Sequence, residues 1–169
     1  SVSVGVLVAR AKGVDIRSVG TGNPGAANIY REVGPSYGVL VFLLDIAKGI
    51  IATLPMYALG LPTWVRLAVA AGLLTGHLFP VFCRFRGGTG MATVIGTSGG
   101  ILPLGALSAA GPTLLFFVLT KNPGYTGGLF FIMAIILGGV LHEDMVGLVG
   151  MILLAVTVLT KSLIQYRGM

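Results

Sequence analysis

The chain has 169 residues, of which 55% are hydrophobic and only 9% charged, and it carries a net charge of +6. A water-soluble domain carries roughly 25% charged residues, so a soluble globular fold is excluded, and the mean hydropathy of +0.97 points to several membrane crossings. The single cysteine, Cys83, excludes an intrachain disulfide and gives no metal cluster; the positive charge reads as loops facing an anionic lipid surface rather than as a nucleic-acid site.

Ser1–Arg10 is apolar but shorter than the roughly 20 residues a span needs, and it reads as the end of a truncated first span. Ala11–Ser36 is a polar, glycine-rich loop. Tyr37–Gly60 is a full-length apolar helix interrupted by Asp45 and Lys48. After a turn at Pro62, Val65–Phe82 is a second span with His77 near its end, followed by a short basic loop, Cys83–Gly90. Met91–Thr120 is apolar but broken by Gly99, Gly100, Pro103, Gly105 and Pro112, which allows either one kinked helix or two helices hinged near Pro103. Lys121–Gly128 reads as a turn with Asn122-Pro123-Gly124 as breaker. Leu129–Leu141 and Met145–Thr160 are two further apolar stretches, short for spans, around His142-Glu143-Asp144.

The distribution of Lys and Arg separates the two readings of Met91–Thr120. As one span it leaves Arg10, Lys12, Arg17, Arg31, Arg84 and Arg86 against Arg66, Lys121, Lys161 and Arg167, six against four. As two helices it moves Lys121, Lys161 and Arg167 to the first group, nine against one. The expectation is therefore an all-α integral membrane protein forming one domain over residues 1–169. It has about seven transmembrane or half-membrane helices, the first truncated, with both glycine loops on the cytoplasmic face.

The first loop, Asp15–Arg31, sets Gly20, Gly22 and Gly25 among Arg17, Thr21, Asn23, Asn28 and Arg31. Glycines let successive N–H groups converge into an anion-binding concavity, and arginines add charge-assisted, bidentate contacts to phosphate. The same glycines match the dinucleotide pattern G-x-G-x-x-G, with Asp45 twenty residues beyond Gly25. That match is rejected, because the pattern needs a preceding strand and a βαβ unit. The second loop, Gly76–Thr93, holds His77, then Arg84 and Arg86, then Gly87, Gly88, Thr89 and Gly90 at the start of a helix, where first-turn N–H groups favour anions. Asp45 and Lys48 share one helix face, either as a structural ion pair or facing a polar cavity. His77 is either a general base or a hydrogen-bonded structural residue.

Together these segments resemble the PlsY family, acyl-phosphate:glycerol-3-phosphate acyltransferases. Asp15–Gly34 looks like the family's first motif, D-I-R-x-x-G-S-G-N-x-G-A-T-N-x-x-R-x-x-G; Asp45–Gly49 looks like its D-x-x-K-G helix; and Gly76–Thr93 looks like its second motif, G-H-x-F-P-x-F-x-x-F-x-G-G-K-G-x-A-T. The family's serine is Thr21 here, its G-G-K-G lysine is Thr89, and A-T-N is Ala26-Ala27-Asn28. The third motif, H-x-x-N followed by R-L and a Glu, does not occur in Lys161–Met169.

The resemblance implies transfer of a fatty acyl group from acyl phosphate to the 1-hydroxyl of glycerol 3-phosphate, giving lysophosphatidic acid and phosphate. It implies a bacterial plasma-membrane enzyme with no metal, nucleotide or coenzyme A thioester, surrounded by membrane lipids and in transient contact with the enzyme that produces acyl phosphate. Thr21, Arg31 and His77 take the catalytic places. Substrate binding falls to Arg17, Gly20, Gly22, Asn23, Gly25, Asn28, Asp45, Lys48, Arg84, Arg86, Gly87, Gly88, Thr89 and Gly90. Two other readings stay open: a small transporter or channel for a phosphorylated anion, whose broken helices and midplane charges would look similar, and an inactive, lipid-binding homologue.

Overall fold

The computed structural model describes residues 3–167, and among them there are eight α-helices and no strand. Residues 1, 2, 168 and 169, which belong to the expected truncated span and to the C-terminal tail, lie outside the described residues. The helices are α1 (Val4–Ala11), α2 (Ala26–Glu32), α3 (Pro35–Ala58), α4 (Thr63–Leu78), α5 (Met91–Ile101), α6 (Pro103–Thr120), α7 (Pro123–Val140) and α8 (Met145–Arg167), with a 3-10 turn at Val81–Cys83 between α4 and α5. Five stretches, α3, α4 taken with the turn up to Cys83, α6, α7 and α8, are long and apolar enough to cross a membrane. Leu43, Ile51, Leu107, Leu115, Ile136 and Leu153 are exposed on their outer faces, as expected where the solvent is hydrocarbon.

Met91–Thr120 is two helices, α5 and α6, parted at Leu102-Pro103. The residue before a proline is pushed out of the helical region, and Leu102 has φ −129° and ψ 70°. Contacts fix the directions. Gly127, early in α7, faces Met91 at the start of α5, whereas Gly105 at the start of α6 faces Ala134 and Gly138 near the end of α7. α5 is thus parallel to α7 and α6 antiparallel to both. An 11-residue helix rises about 16 Å, so α5 traverses only part of a bilayer while α6 returns the full distance.

All connections consequently gather at two ends. One end carries the loops 12–25 and 79–90, Lys121 and the last turn of α8; the other carries the turns 59–62 and 141–144 and the Leu102-Pro103 bend. At that second end the Glu143 carboxylate accepts from Leu104 N and Gly105 N, each at 2.9 Å, capping α6. Arg66, buried to 8% exposure, donates to Gly100 O and Thr63 Oγ1 and lies over the Tyr57 ring.

Boundaries depart from the sequence expectation at several places, including the first loop, α7 and α8. The loop 11–36 contains α2, which Gly25 opens. α7 begins at Pro123 rather than Leu129, because Asn122 caps it, accepting from Gly124 N at 3.1 Å and Tyr125 N at 3.2 Å. α8 runs on from Thr160 to Arg167.

The closest packing is between α3 and α5. Side chains at Gly49, Gly96 or Gly100 would collide with the backbone of the facing helix, and the glycines let the two helices approach at van der Waals distance. Thr53 Oγ1, on α3, donates to Gly49 O at 3.0 Å and bridges to Thr97 O on α5 at 3.1 Å. A main apolar core, including Leu74, Val94, Leu102, Phe131, Met151 and Val158, joins α4 through α8. A smaller one, Val6, Ala9, Ile16, Ile29, Val41 and Cys83, seats α1, the first loop and α2 on α3.

Candidate active site

The first loop is organised from within. Gly20 and Gly22 have φ +54° and +63°, a region closed to most side chains. Between them, Thr21 N donates to Asn28 Oδ1 at 3.0 Å. Asn28 is 1% exposed, and its Nδ2 donates back to Val19 O at 3.1 Å and Ile16 O at 3.4 Å. Asn23 Oδ1 accepts from Gly25 N at 3.0 Å. Thr21 Oγ1 accepts only a long bond, 3.4 Å, from Asn23 N, which leaves its hydroxyl proton without an acceptor among the described residues.

Arg17 ties this loop to the second. Its Nη2 donates to Cys83 O and to Arg86 O, both at 2.9 Å. Arg17 Nη2 and the Asn28 side-chain amide, both expected at the phosphate site, bond backbone groups of the two loops. Arg31, on α2, is exposed and has no hydrogen-bond or ion-pair partner among the described residues. Arg84 and Arg86 are likewise exposed, with Arg84 in the left-handed region at φ +53°.

The second loop is forced by crowding. Gly87 N donates to Leu78 O at 3.0 Å, and a side chain at Gly87 would strike His77 O. A methyl group at Gly88 would come within 2.7 Å of His77 Nε2 and 3.4 Å of Asn23 Oδ1, so Gly88 is where the two loops and His77 meet. Gly90, with φ +83°, turns the chain into α5 against Leu74. The first-turn N–H groups of α5, which begins two residues after Thr89, have no intrahelical partner.

Beneath the loops lies a buried polar cluster contributed by three helices. Lys48 Nζ is 2.6 Å from Asp45 Oδ1 on α3 and 2.6 Å from His77 Nδ1 on α4, and Asp45 Oδ1 is 3.8 Å from the same nitrogen. Thr93 on α5 has its hydroxyl 3.4 Å from His77 Nδ1 and is fully buried. An ammonium only donates, so Nδ1 accepts and the ring proton sits on Nε2, the nitrogen facing Gly88. The buried ion pair is thus also a device that orients His77. Thr93 was missed as a site residue; its helical offset from Gly90 is the signal that places it beside the loop. A cavity of about 340 Å³ lined by Val6, Arg10, Asp15, Arg17, Phe82 and Arg84 opens beside the loops, away from His77.

The arrangement offers an electropositive, glycine-lined junction with N–H donors, an uncommitted hydroxyl and an oriented imidazole. The family model described as glycerol-3-phosphate acyltransferase matches residues 1–167. A glycerol-3-phosphate acyltransferase of Rubrobacter xylanophilus is 45% identical over 126 residues, which are 75% of this chain and 62% of that protein. One from Thermus thermophilus is 42% identical over 147 residues, 85% of this chain and 74% of that protein. The chain spans about three fifths of the length of the first curated relatives it matches, 62%, 56% and 60%. In structure it is similar to the glycerol 3-phosphate form of PlsY (YgiH), an integral membrane glycerol 3-phosphate acyltransferase, with TM-score 0.83 and 32% identity over 98% of this chain and 82% of that one. The lysophosphatidic acid form gives TM-score 0.80 and 31% identity over 99% and 82%. By motif, fold and family match alike, the chain belongs to the glycerol-3-phosphate acyltransferase family.

Proposed function

We propose that this protein acylates glycerol 3-phosphate, taking the acyl group from acyl phosphate. The 1-hydroxyl oxygen attacks the acyl carbonyl carbon, the carbonyl–phosphate bond breaks, and the hydroxyl proton leaves with or is taken up by the departing phosphate. Lysophosphatidic acid and inorganic phosphate result. The observation that carries this reading is the meeting of both glycine loops at Gly88, over His77 and within reach of the Thr21 hydroxyl's loop. Two phosphate-bearing substrates held at one junction gain several kcal/mol from proximity alone, and N–H and guanidinium donors offset charge on the leaving phosphate. Arg31, Arg84 and Arg86 serve as mobile phosphate ligands, Thr21 as a hydrogen-bonding hydroxyl, and His77 Nε2–H as a donor to the developing negative charge. The loops face the cytoplasm of a bacterial cell, the side that excess Lys and Arg occupy.

Donor identity supplies the test. The purified protein in lipid, given glycerol 3-phosphate and either acyl phosphate or acyl coenzyme A at equal concentration, should form product only with acyl phosphate. Equal rates with the thioester would overturn the donor assignment.

A further inference from the structure

Thr89 leaves the second loop without a lysine, and another element brings a cation to the Phe79 end of that loop. The buried stripe of α8 runs through Met151, Leu154, Ala155 and Val158. Continued at helical spacing, that face next presents Lys161 and Gln165. Both are only partly exposed. Lys161 Nζ sits 4.8 Å from the centroid of the Phe79 ring, two residues after His77. Gln165, one turn on, has its Oε1 buried and without a hydrogen-bond partner among the described residues. Buried polar atoms are nearly always satisfied, so an orphaned acceptor beside a lysine at the loop end is an unfilled half of a recognition pair.

We infer that Lys161 and Gln165 are part of the acceptor subsite, Lys161 supplying to a phosphate the positive charge that Thr89 does not, and Gln165 Oε1 accepting from a hydroxyl of the same molecule. A cation and a neutral acceptor one helical turn apart match a small phosphorylated polyol, which carries a dianion and free hydroxyls close together; they do not match an acyl tail. The inference rests on the proposed acyl transfer and names which side chains select its acceptor.

The experiment is steady-state kinetics of the purified protein in lipid vesicles with glycerol 3-phosphate and acyl phosphate varied separately. Lys161→Met should raise KM for glycerol 3-phosphate about tenfold or more, the loss expected for one charge-assisted contact, while KM for acyl phosphate changes less than about twofold. Thr89→Lys placed in the Lys161→Met background should restore the acceptor KM, a rescue that a purely structural lysine would not show. Gln165→Leu provides an independent variant with the charge intact, expected to raise the same KM. Parent activity with an unchanged acceptor KM in Lys161→Met overturns the inference and leaves the proposed reaction standing. A parent that makes no lysophosphatidic acid removes the proposed reaction, and the inference with it.

Discussion

Two arginines with opposite environments separate chemistry from architecture at the residue scale. Arg31 is exposed and unpartnered among the described residues, whereas Arg66 is buried and bonded to Gly100 O and Thr63 Oγ1. Arg31→Ala should leave the melting temperature nearly unchanged and lower kcat/KM on the order of ten- to a hundred-fold, as for loss of a charged hydrogen bond of about 1.5–3 kcal/mol. Arg66→Ala should do the reverse, lowering thermal stability while the folded fraction keeps its turnover. Arg17 makes a sharper case. Charge alone would let lysine replace it, but one guanidinium nitrogen spans two carbonyls from Cys83 and Arg86, which an ammonium on a flexible stem does not reproduce. Arg17→Lys should therefore raise KM for both substrates by several-fold, about 1 kcal/mol, and kinetics that match the parent would show that the clamp is dispensable.

Helices supply the precision at the scale of elements. Asp45, Lys48, His77 and Thr93 come from α3, α4 and α5, so their alignment depends on how closely α3 and α5 approach. Gly96→Ala places a methyl group against Ile46 O and should destabilise the protein by about 1–3 kcal/mol, read as a fall in melting temperature in detergent. The same exchange at Gly99, which meets nothing within 4 Å, should be neutral or stabilising. Much of this level was legible in the chain. Proline sterics left one kinked helix or two at Pro103 and the distribution of Lys and Arg chose two, while the loops followed from runs of glycine with arginine. Less legible were features decided by capping and tertiary contact. Asn122-Pro123-Gly124 reads as a breaker, whereas the Asn122 cap makes it a helix start. The ion pair of Asp45 and Lys48 was visible from their spacing, but its use in fixing His77 depends on α4 arriving alongside. For Arg17 and Asn28 the sequence shows the donors and conceals the backbone carbonyls that they meet.

Considered as a whole molecule, the protein is a polarised bundle. Both loops, Lys121 and Lys161 share one end, and the acidic turn with Arg66 forms the other. In a Cys83→Ala background, single cysteines at Ser18 and Lys121 should be labelled by an impermeant thiol reagent from the cytoplasmic side, and one at Leu61 from the outside. Labelling of Lys121 and Leu61 from the same side would contradict the α5–α6 hairpin. Gly20 and Gly88 are unsuitable for such labels, since side chains there would meet Asn28 and His77. The most direct measurement of the whole is product formation. The parent protein in lipid, supplied with acyl phosphate and labelled glycerol 3-phosphate, should release lysophosphatidic acid and inorganic phosphate in equal amounts, and Arg31→Ala should suppress both together. Phosphate released without acylated glycerol phosphate, or no turnover from a folded protein, would contradict the assignment of this junction as an acyltransferase site.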